Sequence, residues 1–116
     1  QECSVHQNYK DKILKANDIA TMVTGKRSGH PVRSLKTPFT REYFKLEYSQ
    51  ATDEELDKFG TGALRKAVVD GNQKEGCFLA GQIAGMVTRE QPAADIVREV
   101  IEEAEPILRG AMKWVR

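Results

Sequence analysis

The longest regular pattern in the chain lies near its end. Ile96, Val97, Val100, Ile101, Ala104, Leu108, Ala111, Met112 and Val115 recur at three- and four-residue steps, the period of one face of a helix. Pro92 suits the first turn of that helix, where its missing N–H costs nothing. Pro106 falls inside the pattern, removes one backbone donor, and predicts a bend or division there.

Upstream, the pattern predicts shorter elements. Residues 9–16 set Ile13 and Leu14 among Lys10, Lys12 and Lys15, which suits a short helix with a basic exposed side ending before Asn17 and Asp18. Ile19, Thr21 and Val23, then Val32 and Leu35, flank the turn-prone stretch Gly25-Lys26-Arg27-Ser28-Gly29 and predict an extended pair or irregular loop. Pro38 closes that segment. Thr40 is a candidate N-cap for a helix through Tyr43, Phe44 and Leu46. Thr52 and Glu55 have the capping-box spacing, in which each side chain satisfies a backbone donor near the other, so residues 53–59 should be helical until Gly60 and Gly62 interrupt.

Leu64, Ala67 and Val68 share one face of a helix expected over residues 63–70, with Gly71 and Asn72 as its stop and a polar loop after it. Residues 77–87 read as either a buried strand or a buried helix; their length and the small residues Ala80, Gly81, Ala84 and Gly85 favour a closely packed helix. These elements make a mainly α-helical fold with a short extended or hairpin segment. Two regions are expected: residues 1–50, with a helix, the extended segment and the start of a connecting helix, and residues 51–116, a helical subdomain.

Composition sets limits on this picture. At 116 residues, 40% hydrophobic and 30% charged, the chain has room for one domain with a modest core. No stretch approaches the roughly 18 consecutive apolar residues of a membrane span, and membrane insertion is not expected. The chain starts with Gln1, and no secretory signal pattern follows. Cys3 and Cys77 do not make a disulfide framework, and the expected compartment is cytoplasmic. Residues 1–50 carry nine Lys/Arg against five Asp/Glu and residues 51–116 nine against twelve. That difference is too small to indicate nucleic-acid binding.

Self-contained chemistry is sparse. Cys3 and His6 are spaced like half a zinc site, but only His30 and Cys77 remain to complete it, so no metal is expected. His30 precedes Pro31 in a loop without a nearby carboxylate to tune it. Glu102 and Glu103 are sequence neighbours whose side chains diverge by about 100° on a helix, and read as surface acids. Gly60-Thr61-Gly62 is followed by Arg65 where a dinucleotide fingerprint wants glycine. Lys26 and Arg27 could meet a phosphate, although a flexible basic turn in water is the commoner use of such a pair. Gln82 stands out as an amide within Ala80-Gly81-Gln82-Ile83-Ala84-Gly85. Burying it would cost about 1–3 kcal/mol without partners, so it should either bond to backbone or meet a ligand.

Several blocks together resemble one family. Glu2-Cys3-Ser4-Val5-His6 with Tyr9-Lys10, Gly29-His30-Pro31-Val32-Arg33-Ser34-Leu35-Lys36 and Phe39-Thr40-Arg41-Glu42-Tyr43 resemble the post-barrel segment of the nitronate monooxygenase (2-nitropropane dioxygenase) superfamily. The blocks from Gly60 to Gly71 and from Gly76 to Gly85 look most like its bacterial branch, the FMN-dependent enoyl-acyl carrier protein reductases II.

That resemblance implies an α/β TIM-barrel flavoprotein in which NAD(P)H reduces FMN and hydride passes to an enoyl thioester in fatty acid biosynthesis. This chain would be its C-terminal, post-barrel portion. The phosphate loops and catalytic histidine would lie in an N-terminal TIM barrel, since a barrel takes about 250 residues. No catalytic residue carries over, and the fragment alone should be inactive. The implied partners are that barrel, an acyl carrier protein thioester and a second subunit in a homodimer. Leu79, Ala80, Gly81 and Gln82 are the only positions placed beside the flavin or acyl pocket, with Leu79 where relatives commonly have methionine. Nitronate oxidation is the alternative activity, and a stand-alone helical interaction module the alternative of another class.

Overall fold

The computed structural model describes residues 1–114; Val115, the last position of the apolar pattern, lies outside the described residues. The elements in order are α1 (Gln7–Leu14), β1 (Thr21–Thr24), β2 (Val32–Leu35), α2 (Pro38–Glu47), α3 (Asp53–Gly60), α4 (Ala63–Val68), a 3-10 turn (Gln82–Met86), α5 (Ala93–Ala111) and a short 3-10 turn (Met112–Trp114). Contacts divide them into two compact units, one spanning Val5–Thr88 and the other joining Gln1–Ser4 to the segment from Arg89 onward. The architecture is mainly helical with one small hairpin.

In the larger unit, β1 and β2 pair antiparallel, with Thr21 opposite Leu35 and Thr24 opposite Val32. The connecting turn needs Gly25: its φ is +76°, and a Cβ there would lie 2.3 Å from the His30 carbonyl oxygen. This turn is neither free nor merely solvated. The Glu47 carboxylate, 1% exposed at the end of α2, accepts hydrogen bonds from the backbone N–H groups of Gly25 at 3.0 Å and Arg27 at 2.8 Å. The Arg27 guanidinium donates to the carbonyls of Glu47 at 2.9 Å and Ala51 at 2.7 Å, and to Asp53 at 3.0 Å. These bonds replace the expected flexible basic turn with a pinned one, because the last carbonyls of a helix need donors that the helix does not provide.

Helix α2 starts one turn earlier than its sequence suggests. Thr37, not Thr40, is the N-cap, and Thr40 occupies the third helical position. The Thr37 backbone donates to Thr40 Oγ1 at 2.7 Å, while the Thr40 N–H donates to Thr37 Oγ1 at 3.3 Å. The arrangement is a capping box with threonine in the place usually taken by glutamate. Pro38 then sits at the first helical position. The expected Thr52–Glu55 box is present at the start of α3. Helix α4 ends at Val68, and Gly71 supplies the left-handed turn after it at φ +60°.

The main core gathers Tyr9, Leu35, Ala67, Phe78 and Ala84, with Ile13, Ala20 and Val68 packed against it. Ala67 and Phe78 are fully buried, but Leu64, expected on the same face of α4, is 46% exposed. A second cluster stacks Phe39 on Phe59 with ring centroids 5.3 Å apart, and Tyr43 tilts against both.

Residues 77–87 do not form the expected helix. The Leu35 N–H donates to the Phe78 carbonyl at 2.8 Å and the Ala80 N–H to the Arg33 carbonyl at 3.3 Å. Leu79 makes an antiparallel bridge with Ser34. The segment therefore runs beside β2 as a short added strand, then tightens into the turn Gln82–Met86. Its alternation is that of a strand, with Phe78 buried and Leu79 outward. Among the small residues, Gly85 serves close backbone approach, since a Cβ there would lie 2.8 Å from the Asn17 carbonyl carbon, while Ala84 enters the core and Ala80 packs against it.

In the smaller unit, α5 runs as one helix through Pro106, so of the expected bend or division the division does not occur. Pro92 is its N-cap, the Gln1 amino group donates to the Gln91 carbonyl at 2.8 Å, and the Ala93 N–H donates to Glu2 at 3.0 Å. No residue of α5 is buried, and Val97, Ile101 and Leu108 are each about two-thirds exposed or more.

Candidate functional site

The strand-and-turn geometry places Leu79, Ala80, Gly81 and Gln82 consecutively at a surface instead of inside a helix pair. Phe78 anchors the segment: its ring lies 5.0 Å from that of Tyr9, within the cluster that also holds Leu35 and Ala67. Two residues later the chain leaves the core, and Gly81 and Gln82 are both exposed. The Tyr9 hydroxyl donates to the Leu79 carbonyl at 2.7 Å. That bond fixes the backbone at the step from core to surface.

The resulting surface is apolar and open. Leu79 and Val87 are each 38% exposed, Ile83 65% and Met86 73%. Gln82 begins the 3-10 turn with its amide in solvent, so the cost expected for a buried amide does not arise, and the amide stays available to a ligand. A Cβ on Gly81 would meet only an Ile83 side-chain carbon at 3.8 Å. Thus the glycine leaves its outer side open to a planar group or another backbone. Across the bridge from Leu79, Ser34 is fully buried and its hydroxyl faces the Cys77 thiol. Burial pushes the neighbouring Cys77 thiol up from its ordinary pKa, the Ser34 hydroxyl partly opposing; this thiol is therefore a poor nucleophile.

The other residues with chemical potential take structural roles. His6 Nδ1 accepts from the Asn8 N–H at 3.0 Å and caps α1. His30 lies exposed in the hairpin turn, its N–H bonded to the Gly25 carbonyl at 3.0 Å. Thr61 donates its hydroxyl to the Asp57 carbonyl at 2.7 Å, so Gly60-Thr61-Gly62 is a helix terminus and not a phosphate loop. Among the described residues no three His, Cys, Asp or Glu side chains form a group able to hold a metal. No helix among them is long and apolar enough to cross a membrane.

Two functional-looking contacts had no sequence signal strong enough to single them out. Tyr9 lies in a helix full of polar residues, seventy positions from Leu79, and Glu47 looks like any acid on a charged helix. Only folding joins each to its partner.

This surface suits a flat apolar ligand better than an anion. Leu79 offers hydrocarbon, Ala80 backs it from the core side, Gly81 permits close approach, and the Gln82 amide can donate and accept along a ring edge. None of the four residues carries positive charge, so a cofactor phosphate would be held by other groups.

The nitronate monooxygenase family model matches residues 1–103. The structure is similar to that of FabK from Thermotoga maritima, with a TM-score of 0.89 and 34% sequence identity over 96% of this chain and 35% of that one. It is also similar to the structure of a FabK mutant from the same organism, with a TM-score of 0.78 and 32% identity over 96% of this chain and 32% of that one. The chain thus spans about a third of the length of the solved structures it matches. No curated protein matches significantly.

Proposed function

The chain belongs to the nitronate monooxygenase family, and from that premise we propose that it works as the C-terminal part of an FMN-dependent NAD(P)H oxidoreductase, an enoyl-acyl carrier protein reductase. The observation that carries this reading is the likeness to FabK across 96% of the chain at 34% identity. In the proposed protein, a TIM barrel N-terminal to this part holds FMN and the catalytic machinery. The substrate is an enoyl thioester of acyl carrier protein, and the enzyme is a cytoplasmic homodimer.

When bound, FMN supplies a hydride acceptor for NAD(P)H and a hydride donor to the β-carbon of the enoyl thioester, whose α-carbon takes a proton. This chain's residues act by binding and exclusion. Leu79, backed by Ala80 against the core, forms one apolar wall, which keeps water from the hydride path. Gly81 lets the wall approach closely, and the Gln82 amide orients the ring edge or a facing loop. No proton donor is assigned to the chain: its two histidines hold a helix cap and an exposed turn.

The test uses the complete polypeptide that carries this chain. Its visible spectrum should show oxidised flavin, and NAD(P)H consumption should depend on an enoyl thioester. Leu79→Asp should weaken flavin or acyl binding at least tenfold, since a carboxylate facing an apolar ligand is strongly disfavoured. Oxygen consumption with a nitronate and no NAD(P)H requirement would instead favour the nitronate monooxygenase reaction. A flavin-free polypeptide would overturn both.

A further inference from the structure

We propose that Tyr9 is a positioning residue for the ligand wall formed by residues 79–82. This inference rests on the reading of that segment as a wall of the flavin or acyl pocket.

Three of the bonds that hold residues 78–80 differ in kind. The Leu35 N–H to Phe78 and the Ala80 N–H to Arg33 are ladder bonds along β2, at 2.8 and 3.3 Å. They fix the segment sideways within the sheet. The third comes from outside the sheet: the Tyr9 hydroxyl, carried by α1, donates to the Leu79 carbonyl at 2.7 Å. Tyr9 is 8% exposed, and its ring is set against Phe78 at 51° between planes. A rigid aromatic side chain with two side-chain torsions therefore ties the helix to the carbonyl at which the chain turns outward. The next residues, Gly81 and Gln82, are exposed, and the 3-10 turn that Gln82 begins is held by the Ala84 N–H to the Gly81 carbonyl at 3.1 Å and has no side-chain cap.

Position is the consequence. Without the phenol, the Leu79 carbonyl loses its short partner while Phe78 keeps its apolar contacts, so the segment stays in the core but gains freedom at the wall. The Phe78 ring also lies 5.4 Å beneath the Lys12 ammonium, a second link from α1 that Tyr9→Phe leaves in place.

Tyr9→Phe removes only the hydroxyl and should fold. In the complete polypeptide stripped of its flavin, hydrogen exchange at the Leu35 and Ala80 amides should quicken by about three- to tenfold, while the Thr40 amide in the α2 capping box stays unchanged. In the complete flavin-containing polypeptide, Tyr9→Phe should shift the bound-flavin absorbance and weaken flavin or thioester binding about threefold or more. Unchanged exchange at both amides would overturn the proposal. So would unchanged spectrum and affinity in Tyr9→Phe where Leu79→Asp does alter them. If neither variant alters them, residues 79–82 are not the wall, and the proposal falls with that reading. A uniform rise in exchange across the unit would show a general packing role and overturn positioning as well. Tyr9→Leu, which loses the ring as well, should exceed Tyr9→Phe in every readout.

Discussion

Replacing Glu47 by glutamine should cost more than replacing any surface acid, because both of its carboxylate oxygens accept from backbone donors in a buried place. Oε2 receives the Gly25 N–H at 3.0 Å and Oε1 the Arg27 N–H at 2.8 Å, and the residue is 1% exposed. An amide of the same shape has one acceptor and one donor. Whichever way it turns, its NH2 group faces a backbone N–H. The variant loses one charge-assisted bond, weakens the other and leaves a buried donor unpaired. Together these cost about 2–4 kcal/mol. A domain of this size loses about 4 °C in Tm per kcal/mol, so the midpoint should fall by about 8–16 °C. Differential scanning calorimetry gives the midpoint, and hydrogen exchange should show the Gly25 and Arg27 amides losing protection first. A midpoint within 2 °C of the parent, with both amides still protected, would refute the reasoning.

Two glycines with similar backbone angles should behave differently. Gly71 has φ +60°, and a Cβ there would lie 2.1 Å from the His6 ring, whereas Gly29 has φ +76° with nothing within 4 Å. Gly29→Ala should cost about 1 kcal/mol for the left-handed backbone alone, and Gly71→Ala should cost clearly more because it also displaces the imidazole that caps α1; urea unfolding of both variants decides this. Alkylation should separate the cysteines: Cys3 is exposed, and Cys77 is partly buried with its thiol pushed up by desolvation. At pH 8 iodoacetamide should modify Cys3 well before Cys77, and Cys77 should catch up only as pH rises past the ordinary thiol range, because a raised pKa leaves less thiolate below it. Peptide mass mapping over time would expose the opposite order.

Local signals in the sequence were reliable where the interaction itself is local. The Thr52–Glu55 box, the helix ends near Gly60 and Gly71, the hairpin around Gly25–Gly29 and the long amphipathic pattern of α5 all depend on neighbours within a turn or two. The cap of α2 shows the limit. Thr37 and Thr40 both suit a helix start, and the choice between them follows from Leu35, whose carbonyl accepts from Thr40 Oγ1 at 3.1 Å and so draws that hydroxyl inward. Pro106 marks another limit: the missing donor is a local fact, but whether a helix divides there depends on what its flanks pack against, and α5 has no buried side chain to enforce a new direction.

The candidate site was legible as residues and illegible as geometry. The composition of residues 77–87 fits a strand and a helix equally, and small residues tilt the choice toward helix only if they are there for helix packing. At Gly85 the reason is another one: its backbone approaches Asn17, where a Cβ would lie 2.8 Å from the carbonyl carbon, and the same is true just before the segment at Gly76, where a Cβ would lie 2.4 Å from the Asn72 carbonyl oxygen. Nothing within the segment encodes those contacts, because their other halves lie in other elements. The same holds for the strand itself, since its partners are Arg33 and Leu35, more than forty residues earlier. Once the segment is a strand, period two forces Phe78 and Leu79 to opposite sides. One becomes the core and the other the surface, so the residue that stabilises the fold and the residue proposed to face a ligand are sequence neighbours. A substitution at Phe78 should therefore report on stability and one at Leu79 on binding, a cleaner separation than a helix gives, where neighbours diverge by only about 100° instead of pointing to opposite sides.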